Sequence, residues 1–325
     1  SEWESRIHPD DREPALAAVR GYLSGESSNY DLEHRLQHKD GTYRWILARG
    51  AVVRDQHGQP YRMVGSHLDI TDRKEMERVL RAQEAQLLAA KKIQEHIWPQ
   101  EPPALPGFDI AGRVFPAEFA AGDHFDYFSL TDESLVFLVA DVAGHGFSSA
   151  LLMALTHAHI RSLFATKLDI DKVLSHTNSE LLRDADRFVT IIMGCLDVRD
   201  RTLVYINAGH PTGYVLDASG KLKHQLESSV PPMGIMSDVS FTPSDPISLE
   251  PGDTVLMVTD GVLEACSPDD TQFGSERLLR VIRESRDLNA QRLIDKLYHN
   301  VEEFSGTNRI EDDVTALIIK VDPGG

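Results

Sequence analysis

The sequence predicts an α+β chain built from antiparallel layers, not a doubly wound parallel sheet. Two observations carry that prediction. Over residues 187–217, strand-like runs succeed one another with no helix between them, which antiparallel neighbours allow and parallel crossovers do not. Earlier, a three-strand meander gives way to a long helical run without Gly or Pro, so a small N-terminal sheet is set apart from a larger C-terminal body.

In chain order, "YDLEHRLQH" alternates apolar and polar residues, "KDG" turns, and "TYRWILARGAVVRD" resumes the extended pattern. "QHGQP" then turns into a third strand, "YRMVGSHLDI". Trp45 is read as a core residue. Three strands make half a core, so the rest is expected upstream or from a partner. From Thr71 to Trp98 the residues are Ala, Leu, Gln, Glu, Lys and Arg in the main, with Thr71 or Asp72 as N-cap. Arg73, Leu80, Leu87 and Gln94 fall at one heptad position, and Met76, Gln83, Ala90 and Ile97 at the other. That seam predicts a short parallel two-helix coil over 72–98, and hence a homodimer. "WPQEPPALPGF" ends the helix. Strands follow in "SLVFLVADV", "RFVTIIMGCLDV", "TLVYINAG", "DTVLMVTDG" and "DVTALIIKV", with helical patterns near 148–166, 170–184, 275–285 and 289–304.

Composition narrows the function. With 33 Lys and Arg against 51 Asp and Glu, a net charge of −18 argues against a nucleic-acid partner, which needs clustered cations. No apolar run reaches the roughly 18 residues that span a bilayer, and no signal peptide opens the chain. The two cysteines, Cys195 and Cys266, form no CxxC pair and are read as inert thiols in a reducing, cytoplasmic setting. The start at Ser-Glu-Trp leaves room for a natural beginning further upstream. There is no GxSxG elbow, P-loop or HExxH. His157 and His159, two apart on a helical run, point to different faces and make a poor metal pair.

The chemistry gathers at strand ends. "VFLVAD" ends on Asp141, "TVLMVTD" on Asp260, and "RIED" delivers Asp312 and Asp313 to the start of a strand. Asp123 stands after Gly122 in "AAGDHFDYF". Adjacent strands lie about 4.8 Å apart, so such carboxylates can share one small site. Together they would repel, unless hard cations such as Mg²⁺ or Mn²⁺ neutralise them. Two ions about 3.5–4 Å apart would support hydrolysis by an activated water, with no side-chain nucleophile.

Six ordered blocks then carry a resemblance: "PAEFAAGDHFDYF", "VADVAGHGFSSALLMA", "INAGHP", "LEPGDTVLMVTDGVLEA", "FGSERL" and "DDVTALII". Over about residues 90 to 321 the chain resembles the SpoIIE-type (stage II sporulation protein E-type) bacterial phosphatases of the metal-dependent Ser/Thr phosphatase superfamily. The resemblance implies two packed antiparallel sheets flanked by helices. It implies Asp141 as the carboxylate bridging two Mn²⁺ or Mg²⁺ ions, the Val142 carbonyl as a ligand of one, Asp260 and Asp312 completing the other, and Asp123 at or just outside the ligand set. Asp123, Asp141 and Asp260 are thereby the catalytic carboxylates, with metal-bridged water as nucleophile. Ala121-Gly122-Asp123 replaces the family's Gly-Gly-Asp, a methyl that crowds the turn if the position needs positive φ. Ala143 stands where the eukaryotic branch has a general-acid His, and His145, out of register, is read as positioning the loop.

"IHPDDR", "DGTYRWI" and "VVRDQHGQPYRMVGSHLDITDRK" resemble the C-terminal half of a PAS sensor domain, and no PAS cofactor can be argued. The organisation implied is a partial PAS sheet over 1–71, a coiled-coil signalling linker over 72–98 and a phosphatase domain over 99–325. The implied activity is hydrolysis of phosphoserine or phosphothreonine on a protein, by family resemblance a STAS-type anti-sigma-factor antagonist in a partner switch. Two other classes stay open: a phosphatase-like scaffold that binds a phosphoprotein without turnover, and a phosphodiesterase or nucleotide hydrolase using the same metal chemistry.

Overall fold

The computed structural model describes residues 2–131, 133–144, 146–184, 187–306 and 310–324. It divides into two compact units, Ser1–Gln86 and Leu87–Gly325.

The first unit opens with α1 (Glu2–Arg6) and α2 (Pro9–Ser24), neither of which the sequence reading assigned. Pro9 starts α2 where its missing N–H costs nothing, and Gly25 ends it at φ 88°. The meander follows as β1 (Tyr30–Gln37), β2 (Tyr43–Arg54) and β3 (Pro60–Asp69), antiparallel in that order. Trp45 is half-buried rather than a core residue. The Arg35 guanidinium lies 5.5 Å and the Lys74 ammonium 5.2 Å from its ring centroid, so it serves as a cation platform. Helix α3 (Thr71–Ile97) starts with Thr71 already inside it. The capping role expected of Thr71 or Asp72 falls to Asp69, whose Oδ1 accepts from the Thr71 N–H at 3.0 Å and hydroxyl at 2.6 Å.

The second unit is a sandwich of two five-stranded sheets, as expected. One sheet takes β4 (Phe108–Phe115), β9 (Gly213–Leu216), β10 (Leu222–Leu226), β12 (Thr254–Val258) and β13 (Val314–Val321), in the order β10-β9-β12-β13-β4. The other takes β5 (His124–Thr131), β6 (Ser134–Val142), β7 (Val189–Asp197), β8 (Thr202–Ala208) and β11 (Ile247–Ser248), in the order β11-β8-β7-β6-β5. Every strand pair is antiparallel. Alternate residues face inward, so Phe125, Phe137 and Val139 meet Val255, Met257, Leu317 and Ile319 between the sheets.

Helices α4 (Phe147–Phe164) and α5 (Ile170–Asp184) cover the β5–β8 sheet through Met153, Ile160 and Leu174. The one-turn α6 (Asp260–Leu263), with α7 (Gly274–Glu284) and α8 (Ala290–Ser305), covers the other. The two long C-terminal helices are strongly amphipathic, as half-covered helices must be. Cys195 and Cys266 are free thiols. Among the described residues, no helix is long and apolar enough to cross a membrane.

Candidate metal centre

Both sheets send carboxylates to the same end of the sandwich. In the antiparallel pair β5–β6, His124 stands opposite Ala140, so Asp123 just before β5 lies beside Asp141 near the end of β6. In the pair β12–β13, Val258 stands opposite Ala316, which sets Asp260 just past β12 beside Asp312 just before β13. One pair of acids thus comes from each sheet. Asp123 is buried, Asp141 and Asp260 are half-buried and Asp312 is exposed, so the site opens to solvent on the Asp312 side.

The electrostatics record the crowding. Burial, then the charges of Asp260 and Asp312, push the Asp141 carboxyl up to about 7. Burial, then Asp141 and Asp313, push Asp123 well above the usual carboxylate range. Asp260 is raised by burial, then by Asp312 and Glu264. Among the described residues, no Lys or Arg forms an ion pair with Asp123, Asp141, Asp260 or Asp312. A cluster of one buried, two half-buried and one exposed acid, with no cation paired to it among the described residues and only oxygen donors on offer, fits hard divalent ions of the Mg²⁺ or Mn²⁺ kind. The Val142 carbonyl oxygen lies 3.4 Å from where a Cβ on Gly122, the residue before Asp123, would stand.

The cradle around these acids uses Asp313, one of the strand-end acids, together with residues that carry no such signal in the sequence. Asp123 Oδ2 accepts from the hydroxyls of Thr259 at 2.7 Å and Thr315 at 2.6 Å, so two residues of the opposite sheet hold a carboxylate of this one. Asp313 closes the 117–122 loop: its Oδ1 accepts from the Ala117 N–H at 2.9 Å and its Oδ2 from the Gly122 N–H at 2.7 Å. Burial raises Asp313 while these donors hold it down. Gly261 is required, because a Cβ there would lie 2.0 Å from the Asp313 carbonyl oxygen. Arg187 donates to the Ala143 carbonyl at 3.0 Å and to Ser149 Oγ at 2.7 Å, which pins the loop after Asp141. Gly144 in that loop sits at φ 90°. His210 of "INAGHP" is buried, its ring pushed down to about 3, and its Nδ1 pairs with the Thr190 hydroxyl at 3.0 Å, beside Asp141 in the β6–β7 ladder.

Ala121 is fully buried and is not one of the positive-φ residues, so its methyl does not strain the turn. Its backbone is held instead by Gln94 from the end of α3. The side-chain amide donates to the Ala121 carbonyl at 2.6 Å and accepts from the Ala121 N–H at 2.9 Å. Gln94, assigned to a helix–helix seam from its heptad position, thus faces the loop that carries Asp123. His145 lies outside the described residues.

Comparison with known proteins agrees with this geometry. The family model for Stage II sporulation protein E (SpoIIE) matches residues 131–322, a span that holds Asp141, Val142, Asp260 and Asp312, and a model for the PAS fold matches residues 1–67. The chain is 27% identical over 226 residues to Protein IcfG of Synechocystis sp., covering 61% of this chain and 35% of that one. It is 24% identical over 260 residues to the phosphoserine phosphatase RsbU of Bacillus subtilis, covering 79% and 76%. The chain therefore spans about a third of one of these relatives and three quarters of the other. The SiaA-PP2C domain of Pseudomonas aeruginosa superimposes with a TM-score of 0.66 at 22% identity, covering 75% of this chain and 99% of that one, which shows a shared fold. Since the SpoIIE match takes in more than half of the sequence, the chain belongs to the Stage II sporulation protein E (SpoIIE) family.

Proposed function

We propose that this chain is a sensor-regulated, metal-dependent protein phosphatase acting on phosphoserine or phosphothreonine. The observation that carries the reading is the meeting of Asp123, Asp141, Asp260 and Asp312 at one end of the sandwich, with no Lys or Arg paired to them among the described residues. Homology to RsbU, named a phosphoserine phosphatase, supports the substrate class.

Asp141, Asp260, Asp312 and the Val142 carbonyl would hold two Mn²⁺ or Mg²⁺ ions, with Asp123 at the edge of the set. Bound there, the ions supply Lewis acidity and an acidified water. The chain's own residues prepare that site. Thr259 and Thr315 orient Asp123, Asp313 and Gln94 fix the loop in front of it, and Arg187 fixes the loop behind Asp141. Exposed phenylalanines stand on the framing segments: Phe119 in the 117–122 loop, Phe147 opening α4, and Phe188, whose carbonyl accepts from the Ala143 N–H. An open site rimmed by aromatic side chains suits a folded protein substrate better than a free nucleotide. A STAS-type anti-sigma-factor antagonist is the proposed partner.

The proposed organisation is a partial PAS domain over 1–71, a signalling linker over 72–98 and a phosphatase domain over 99–325. The linker would dimerise the chain through Met76, Val79 and Leu80, all exposed, and pass a change in the sensor to the loop before Asp123 through Gln94.

The test is hydrolysis of p-nitrophenyl phosphate and of a phosphoserine protein with Mn²⁺, Mg²⁺ or EDTA, alongside Asp260→Ala. Activity that needs the metal and is lost in the variant is expected. Failure of the wild-type chain to bind either metal by calorimetry would overturn the reading.

A further inference from the structure

A second group of metal-ligating side chains lies on the far face of β5 from the sandwich core, and phosphate hydrolysis makes no use of it. His124 and Asp126 alternate on β5, so both point toward α4, where His157 meets them. Strand period two and the inward stripe of α4 bring the three together from positions 31 residues apart. The sequence reading weighed His157 only against His159, its neighbour on the helix; the partners lie on the strand.

One ligand atom from each of His124, Asp126 and His157 lies within 4.8 Å of the other two, and all three residues are buried. His157 Nε2 is 2.7 Å from Asp126 Oδ2. The other carboxylate oxygen, Oδ1, accepts from the Tyr127 N–H at 2.7 Å, which fixes the carboxyl plane. His124 is 2% exposed, and its Nε2 is buried with no hydrogen-bond partner. A buried ring nitrogen without a hydrogen-bond partner is costly, and a second histidine packed beside it is an expensive way to fill space. The two imidazole rings stand 4.4 Å apart at 56°, tilted rather than stacked, as two rings directed at a common point can be. The Arg161 Nε, 3.6 Å from Asp126 Oδ2, borders the group, with its guanidinium 5.6 Å from the Phe128 ring centroid and its side chain largely exposed, so it can swing out of the way.

We propose that His124, Asp126 and His157 form a third metal site, separate from the carboxylate pocket, that takes a borderline cation of the Zn²⁺ class. Two imidazoles and one carboxylate are a donor set that Zn²⁺ favours and that Mg²⁺ does not, with a fourth position left for water. Ligand atoms around tetrahedral zinc stand about 3.3 Å apart, which follows from bonds of about 2.0–2.1 Å. The observed spacing, 2.7 Å between His157 Nε2 and Asp126 Oδ2 and no more than 4.8 Å among the three, brackets that value, the cation replacing the proton between His157 and Asp126. A cation here ties α4 to β5. Asp123 immediately precedes that strand, and α4 follows the loop after Asp141, so occupancy would brace the segments that carry both acids.

The experiment uses the full chain with the carboxylate pocket disabled by Asp260→Asn and Asp312→Asn, so that zinc in that pocket is not counted. After chelation and dialysis, Zn²⁺ is titrated against a chromogenic chelator in excess Mg²⁺, with bound metal counted by atomic emission. One zinc per chain is expected, with a rise in melting temperature. His124→Gln, which breaks no hydrogen bond of Nε2, and His157→Gln, which keeps a donor for Asp126, should each weaken zinc binding by at least about tenfold and abolish that rise. No zinc bound in the parent, or equal binding in both histidine variants, overturns the site.

Discussion

Gln94 grips the backbone of Ala121 at both ends of one peptide residue, donating to its carbonyl and accepting from its N–H. It is the one buried residue of α3, a helix of 27 residues. Ala121 stands two positions before Asp123, so a side chain at the end of the linker helix sets the backbone that presents a proposed ligand.

Gln94→Ala removes both bonds and leaves two buried backbone groups to find water. The pair is worth about 1–3 kcal/mol in all. Part of that loss falls on the geometry of Asp123, so the Mn²⁺ concentration giving half-maximal hydrolysis should rise by up to about tenfold. A Mn²⁺ titration of p-nitrophenyl phosphate hydrolysis reads this directly, and an unchanged half-saturation would separate the linker from the metal pocket.

Gly261→Ala probes the rear wall of the site. The new methyl would lie 2.0 Å from the Asp313 carbonyl oxygen, and backbone cannot rotate away as a side chain can. Either α6 or the 312–313 segment must shift. The expected cost is about 1–3 kcal/mol of stability, seen in urea unfolding, with hydrolysis lost more completely than the fold because Asp260 and Asp312 move apart.

Much of this site is legible in the sequence, and the division has a physical cause. Asp141, Asp260 and Asp312 show themselves because an acid at the end or the start of an apolar strand is a local pattern. Thr259, Thr315 and Gln94 do not, since their roles depend on contacts across 136, 192 and 27 residues of chain. Thr315 reads as an ordinary strand residue until β12 and β13 are placed beside Asp123. The α2 helix carries little signal in the sequence, since "PDDREPALAAVRGYLS" has a weak apolar stripe and a second proline at Pro14. An aromatic in a strand reads as core, whereas two cations stack on Trp45.

Thr315→Val keeps shape and removes one of two hydroxyl donors to Asp123. Those donors oppose the upward push of burial and of Asp141, so losing one raises Asp123 further. Protons then compete with the metal up to a higher pH. The acid limb of the rate against pH should move to higher pH in the variant, while the rate at saturating Mn²⁺ on the alkaline side changes little. Coincident profiles would mean that Asp123 does not take part in metal capture.

The exposed apolar residues of α3 make the dimer testable. Met76 is 73% and Leu80 57% exposed, a costly display for a soluble helix with no partner. Light scattering at micromolar concentration should give twice the chain mass, and Leu80→Glu should return a monomer. A monomeric parent removes the dimer from the proposal.

Asp141→Asn separates stability from function. In the metal-free chain the Asp141 carboxyl titrates near 7, well above its ordinary 3.8. A carboxyl raised on folding favours the folded state while it is protonated. That advantage is complete below the unfolded value near 3.8 and is lost as pH climbs through about 7. Asn cannot ionise, so in EDTA the substitution should leave stability unchanged near pH 3 and raise it progressively between about pH 4 and pH 7, with the full gain above pH 7. Buried histidines such as His210 titrate in parent and variant alike and cancel in the difference. With Mn²⁺ present the order should reverse, since the charge that destabilises the empty pocket is what holds the cation. Melting curves of both proteins at the two pH values, with EDTA and with Mn²⁺, read all of these comparisons. A parent that stays more stable than Asp141→Asn in EDTA above pH 7 would show that some other group already neutralises the pocket, and a cation would then have no charge left there to balance.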